Sequence, residues 1–186
     1  MPLSPAAERD MIHTRTMDLR AYRRSDGLYD IEGHIIDVKP FTHNFTDTYR
    51  AAGEPVHDMW LRLTVDKELV VQAAEAKFDV GAHAYCAGVE PNFAELAGLR
   101  IAPGWNRGVR QRVGHGLGCT HLVEMLAQMA TAAMQALWSE REPESEAASH
   151  PEERRLPSAL LDSCHAYRRD GDFMRQNFPL DYKAAE

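Results

Sequence analysis

The sequence predicts an α+β fold: an antiparallel sheet of roughly four strands in the N-terminal half, covered on one face by a central helix, with short helices around it. Two observations carry that expectation. Apolar and polar side chains alternate with period two through residues 12–78, and period 3.6 takes over from residue 119. The two patterns follow one another in blocks, not in the strand–helix alternation of a parallel sheet.

The first strand begins near Ile12, where Met17, Leu19 and Ala21 alternate with Thr16, Asp18 and Arg20. Ser25-Asp26-Gly27 is a turn signal, and 28–39 reads as the returning strand of a hairpin. On it His34 lines up with Ile36 and Val38, while Ile31, Ile35 and Asp37 lie opposite. A polar loop over 40–55 leads to a third strand, 57–65. There His57, Met59, Leu61, Leu63 and Val65 share one face, and Asp58, Trp60, Arg62 and Thr64 the other. Asp66-Lys67-Glu68 turns into a fourth strand at 69–78.

Two short helices follow. One spans 91–96, with Pro91 at its start and Gly98 beyond its end; the other spans 106–113 and carries Arg107, Arg110 and Arg112. Gly114, Gly116 and Gly118 precede the longest helical pattern, 119 to about 138. Val123, Leu126, Ala130, Ala133 and Leu137 form one stripe there, and Met125, Met129 and Ala132 widen it, so this helix is central.

Three regions follow from composition. Residues 1–138 form the core domain. Residues 139–157 are an acidic flexible linker, with Pro143, Pro151 and a cluster of glutamates and no large apolar residue before Leu156. Residues 158–186 form a C-terminal segment expected to pack on the core, since Leu160, Leu161, Tyr167, Phe173 and Phe178 need burial. The chain has 186 residues, 44% of them hydrophobic, enough for one real core. A net charge of -7 disfavours nucleic acid as a partner. There is no apolar run of membrane-spanning length, and Met1-Pro2-Leu3-Ser4-Pro5 lacks a signal peptide's apolar stretch, so cytoplasm is the expected compartment. Three cysteines without framework spacing argue for free thiols.

The chemistry centres on Gly118-Cys119-Thr120-His121-Leu122. This stretch puts a thiol and an imidazole at a helix start, where unpaired N–H groups and the helix dipole favour an anion. A lowered thiol pKa is therefore expected at Cys119. Glu124, three residues past His121, is placed to orient its imidazole. His34, Asp37 and His57 complete the candidate catalytic set, on the expectation that the sheet face beneath the helix forms a pocket. Trp60, Arg62 and Arg107 are candidates to hold a small anionic substrate. Cys86, Cys119, Cys164 and His165 form an alternative metal set, because every cysteine has a histidine close by in sequence (His83, His121 and His165). The cofactor is then zinc, an iron–sulfur cluster or none.

Several stretches resemble one family. Asp26-Gly27-Leu28-Tyr29-Asp30-Ile31-Glu32-Gly33-His34, His57-Asp58-Met59-Trp60, Gly104-Trp105, Gly118-Cys119-Thr120-His121-Leu122 and Asp162-Ser163-Cys164-His165-Ala166-Tyr167 resemble the bacterial domain of unknown function 2889 family. That resemblance implies a bacterial cytoplasmic protein and no particular reaction. A fainter likeness is to iron–sulfur scaffold proteins of the NifU type, which also carry Gly-Cys at a helix start after an antiparallel sheet. Three function classes follow: a small-molecule enzyme of bacterial catabolism acting on an anionic carboxylate or acyl compound, a zinc or iron–sulfur binding or delivery protein, and a non-catalytic structural subunit. The first is favoured, because His34, Asp37, His57 and Arg62 supply more polar groups than a metal site requires. A homodimer is left open.

Overall fold

The computed structural model describes residues 3–141, 154–158 and 160–184. The chain divides into two compact units, Met1–Leu137 and Trp138–Glu186. The first holds a four-stranded antiparallel sheet in the order β1-β2-β5-β6, with β1 Thr14–Arg23, β2 Tyr29–Val38, β5 Pro55–Val65 and β6 Val71–Val80. The fold is α+β, as the two blocks of periodicity predict.

Gly27, at φ 85°, turns β1 into β2 in the left-handed region that glycine adopts without strain. Along β2 burial alternates strictly: Tyr29, Ile31, Gly33, Ile35 and Asp37 are inside, and the residues between them are only partly covered. β5 repeats the pattern with Val56, Met59, Leu61, Leu63 and Val65 inside. A register shift beside Asp37/Val38 lets Val56 and Met59 both face inward. The 40–55 loop is more ordered than its composition suggests. It contains a two-residue ladder of β3 (His43–Asn44) and β4 (Tyr49–Arg50). It is fastened to the segment after β6, where Thr48 Oγ1 and Arg50 Nη2 donate to the Ala82 and Gly81 carbonyls.

After the sheet come a 3-10 run, Cys86–Leu96, then α1 (Trp105–Val113) and α2 (Thr120–Arg141). The predicted 91–96 helix is therefore the end of a longer, tighter coil, whose Phe93 and Leu96 are fully buried. α2 lies on the inner face of the sheet. Gly33 lets it approach closely: a Cβ there would sit 2.9 Å from the Met125 thioether and 3.0 Å from Met129 Sδ. Leu122, Met125, Leu126, Met129, Ala133 and Leu137 are all at most 1% exposed, which makes α2 the spine of the core. Trp105 ties α1 to it, its indole N–H donating to the Leu126 carbonyl at 3.2 Å.

Helix α2 runs to Arg141, about one turn past the end expected near residue 138, so the first residues assigned to the acidic linker are helical. Residues 142–153 of that linker lie outside the described residues. In the second unit Leu156 and Met174 are buried, and α3 (Asp172–Asn177) is its one described helix apart from the end of α2. Asp181 accepts from the Leu156 backbone N–H at 2.8 Å and from Arg155 at 3.1 Å, and Tyr167, Phe173 and Phe178 form a chain of ring contacts.

Candidate functional site

Register places the site. On the inner face, Arg15 of β1 pairs across to Asp37 of β2, and Asp37 pairs across to His57 of β5. These three side chains form one row perpendicular to the strands. Arg15 grips Asp37 with two parallel hydrogen bonds, Nε to Oδ1 and Nη2 to Oδ2, both 2.8 Å. His57 Nδ1–H donates to Oδ2 at 2.8 Å, and His13 Nε2 lies 3.2 Å from Oδ1. Asp37 is fully buried, and each of its oxygens already has two partners. Burial alone would raise its carboxyl pKa. The Arg15 and His57 hydrogen bonds, with both groups' charges, outweigh burial and hold it at about 2.

Helix α2 brings the second half. Cys119 is the residue before its first turn, and its carbonyl accepts the Val123 N–H at 2.9 Å. Gly118 permits this entry, because a Cβ there would lie 2.2 Å from the Val113 carbonyl oxygen. Cys119 Sγ is 3.6 Å from His121 Nδ1. The His121 ring lies against His57, centroids 4.2 Å apart and planes tilted 47°. With Nδ1 of His57 engaged by Asp37, its Nε2 is the nitrogen left for chemistry.

The lowered thiol pKa expected from the helix start is not found. Burial pushes the Cys119 thiol up, and the backbone N–H groups of Leu122 and His121 that point at the sulfur only partly offset it. Both imidazoles are shifted down, again first by burial. For His57 the hydrogen bond it donates to Asp37 works against that shift; for His121 the neighbouring His57 adds to it. The resting site therefore holds a neutral thiol beside two neutral imidazoles, with the charge confined to the Arg15–Asp37 pair beneath them.

The predicted site residues separate into groups. Asp37, His57, Cys119 and His121 come together. Glu124 is exposed and reaches His121 only through its charge, so it does not orient the ring. His34 and Trp60 belong to the opposite face of the sheet, because the alternation that buries Asp37 and Met59 turns their neighbours outward. There His34 stacks on Trp60, centroids 3.5 Å apart, and pairs with Asp58 at 2.6 Å. Arg62 lies on that outer face too, held between Glu32 at 2.8 Å and Glu75 at 3.3 Å, and is not aimed at the thiol. Arg107 is exposed on α1. Cys86 is partly buried against the core, and the nearby His83 is engaged by Asp47 at 2.6 Å. Cys164 and His165 are exposed in the second unit.

His13 and Arg15 are the functional side chains that sequence reasoning missed. The signal was present: Arg15 falls on the same alternation as Met17, Leu19 and Ala21, so it is an arginine on an apolar stripe. Among the described residues, the one group of His, Cys, Asp and Glu side chains gathered closely enough to hold a metal is Asp37, His57 and His121. One ligand atom from each lies within 4.8 Å of the others, and the group contains none of Cys86, Cys119, Cys164 and His165.

Residues 13–135 match the family described as a protein of unknown function, DUF2889. The chain belongs to the DUF2889 family. The matched span opens on His13 and takes in Arg15, Asp37, His57, Cys119 and His121; it ends before Cys164. No curated protein and no solved structure matches the chain. No helix among the described residues is long and apolar enough to cross a membrane.

Proposed function

We propose that the first unit is a small-molecule enzyme that transfers or hydrolyses an acyl group, with Cys119 as nucleophile and His121 as its base. The observation that carries this reading is the 3.6 Å approach of Cys119 Sγ to His121 Nδ1, beside a second imidazole anchored by a buried carboxylate. A neutral thiol needs a base within reach, and a neutral imidazole is that base. As sulfur bonds to the substrate's carbonyl carbon, the thiol proton passes to His121 Nδ1. The bond to the leaving group then breaks, and that group takes the proton. Water, deprotonated by an imidazole, displaces the acyl group from sulfur and regenerates the thiol. The charges of Asp37 and Glu124 favour the His121 imidazolium formed in between, against the opposing effect of the neighbouring His57. Trp60, Arg62 and Arg107 take no part, so an anionic group on the substrate has to find other partners. The test is a panel of small acyl thioesters and p-nitrophenyl esters. Turnover with an acyl adduct on Cys119 by mass spectrometry, both lost in Cys119→Ala, is expected; turnover unchanged in Cys119→Ala would sink the reading.

A second reading rests on the Asp37, His57 and His121 group. Because the Asp37 oxygens are already occupied, the carboxylate would stay behind His57 as its orienting partner. A zinc-class ion would then take His57 Nε2 and His121, with water completing its coordination. Such an ion would supply a Lewis acid and an activated water. Stoichiometric zinc in purified protein, lost in His57→Ala, favours this reading over the metal-free thiol.

A further inference from the structure

A groove of about 480 Å³ lies between α1 and the start of α2, and its lining includes none of Arg15, Asp37 and His57. Val109 and Val113 from α1 and Val123 from α2 give it an aliphatic lining. Arg110, His115 and Glu124 supply its charged and titratable groups. Elsewhere in this unit, arginines and carboxylates that face one another are joined: Arg15 to Asp37, Arg24 to Asp26, Arg62 to Glu32. Arg110 and Glu124 line one groove from two helices, yet among the described residues neither side chain makes a hydrogen bond or ion pair. Glu124 acts on Arg15 and His121 through its charge alone. His115 is held at φ 55°, a conformation uncommon for a residue with a side chain, although glycines stand on both sides of it.

We propose that this groove binds a small aliphatic carboxylic acid carrying a hydroxyl or ammonium group at its far end. The volume falls in the range of small-ligand pockets, roughly 300–1,000 Å³. A guanidinium with no partner is suited to a carboxylate, which it meets with two parallel hydrogen bonds. Glu124, an acceptor on the other helix, takes the donor at the far end. The valines of the lining match a flexible methylene chain better than a flat ring. The inference stands apart from the acyl-transfer reading, since the Cys119 sulfur has its hydrogen bonds with His121 and Leu122, neither of which lines the groove.

The experiment uses the full chain with methyl-labelled valine, titrated with 6-hydroxyhexanoate, hexanoate and hexanamide. Both acids are expected to shift the Val109, Val113 and Val123 methyls, the hydroxy acid binding tightest and the amide at least about tenfold more weakly than hexanoate. Arg110→Gln should weaken both acids at least about tenfold and leave the amide unchanged. Glu124→Gln should weaken the hydroxy acid alone, by about three- to tenfold. Binding should persist in Cys119→Ala, which separates this result from the fate of the thiol reading. Valine methyls unmoved by either acid would overturn the proposal. So would acid and amide binding equally to the wild-type chain, a comparison that needs no variant to fold.

Discussion

Replacing Asp37 by asparagine keeps the side-chain volume but removes the charge that organises the inner row. Asp37 is 0% exposed and accepts from Arg15 twice, from His57 once and from His13 at longer range. An amide in its place turns an NH2 toward donors on one side and leaves the guanidinium without a counter-charge. Breaking a buried ion pair from one side costs about 3–5 kcal/mol. Arg15 is 34% exposed and regains some water, which places the loss near the lower limit, about 3 kcal/mol. The wild-type pKa of about 2 agrees in scale: against an ordinary carboxyl it is worth about 2–3 kcal/mol at neutral pH. Unfolding entropy of about 2.1 cal/mol/K per residue over the first unit converts 3 kcal/mol into a Tm drop of about 10 °C. Thermal melts followed by circular dichroism at neutral pH read this directly. A drop of less than about 3 °C would refute the claim that the row is an electrostatic keystone of the sheet.

Other outcomes follow from the same geometry. Because the folded carboxyl of Asp37 titrates at about 2, its contribution is intact above about pH 4 and disappears as pH falls toward 2. His57 and His121 bind protons less readily when folded, so stability also declines as pH falls below about 6.5, and His57→Gln flattens that upper part of the acid limb. Gly118→Ala, whose methyl would meet a backbone oxygen at 2.2 Å, is expected to cost about 3 kcal/mol in chemical denaturation. Gly33→Ala, which meets only the movable ends of Met125 and Met129, is expected to cost about 1 kcal/mol. Arg62→Ala should change stability by less than about 1 kcal/mol and leave Cys119 reactivity unaltered, since its two ion pairs are on the outer face. Peptide mapping after brief alkylation at about pH 8 should find exposed Cys164 modified before Cys119.

The four long strands and α2 are legible in the sequence because each carries enough periods to distinguish 2 from 3.6. His57 could be placed on the inner face, and Asp37 opposite His34, by alternation alone. The ladder of His43–Asn44 with Tyr49–Arg50 could not be read, since two residues carry no period. The face of the sheet that α2 covers was also beyond the pattern. Gly33 and the burial of Met125 and Met129 decide it, and with it which histidine, His57 or His34, meets His121. The direction of the thiol shift was misjudged because a helix start was weighed without the burial that accompanies it at Cys119.

The central claim, that His121 serves as the base for Cys119, is tested most directly by the pH dependence of Cys119 alkylation in chelator-treated protein. Its rate is followed by peptide mass spectrometry in wild-type and His121→Ala chains. The wild type should show two rises. The first comes as His121 loses its proton below about pH 6.5, and the second lies above the ordinary thiol range. The variant should keep only the second rise. Identical profiles in the two proteins would show that the 3.6 Å contact does no chemistry, and would contradict the account.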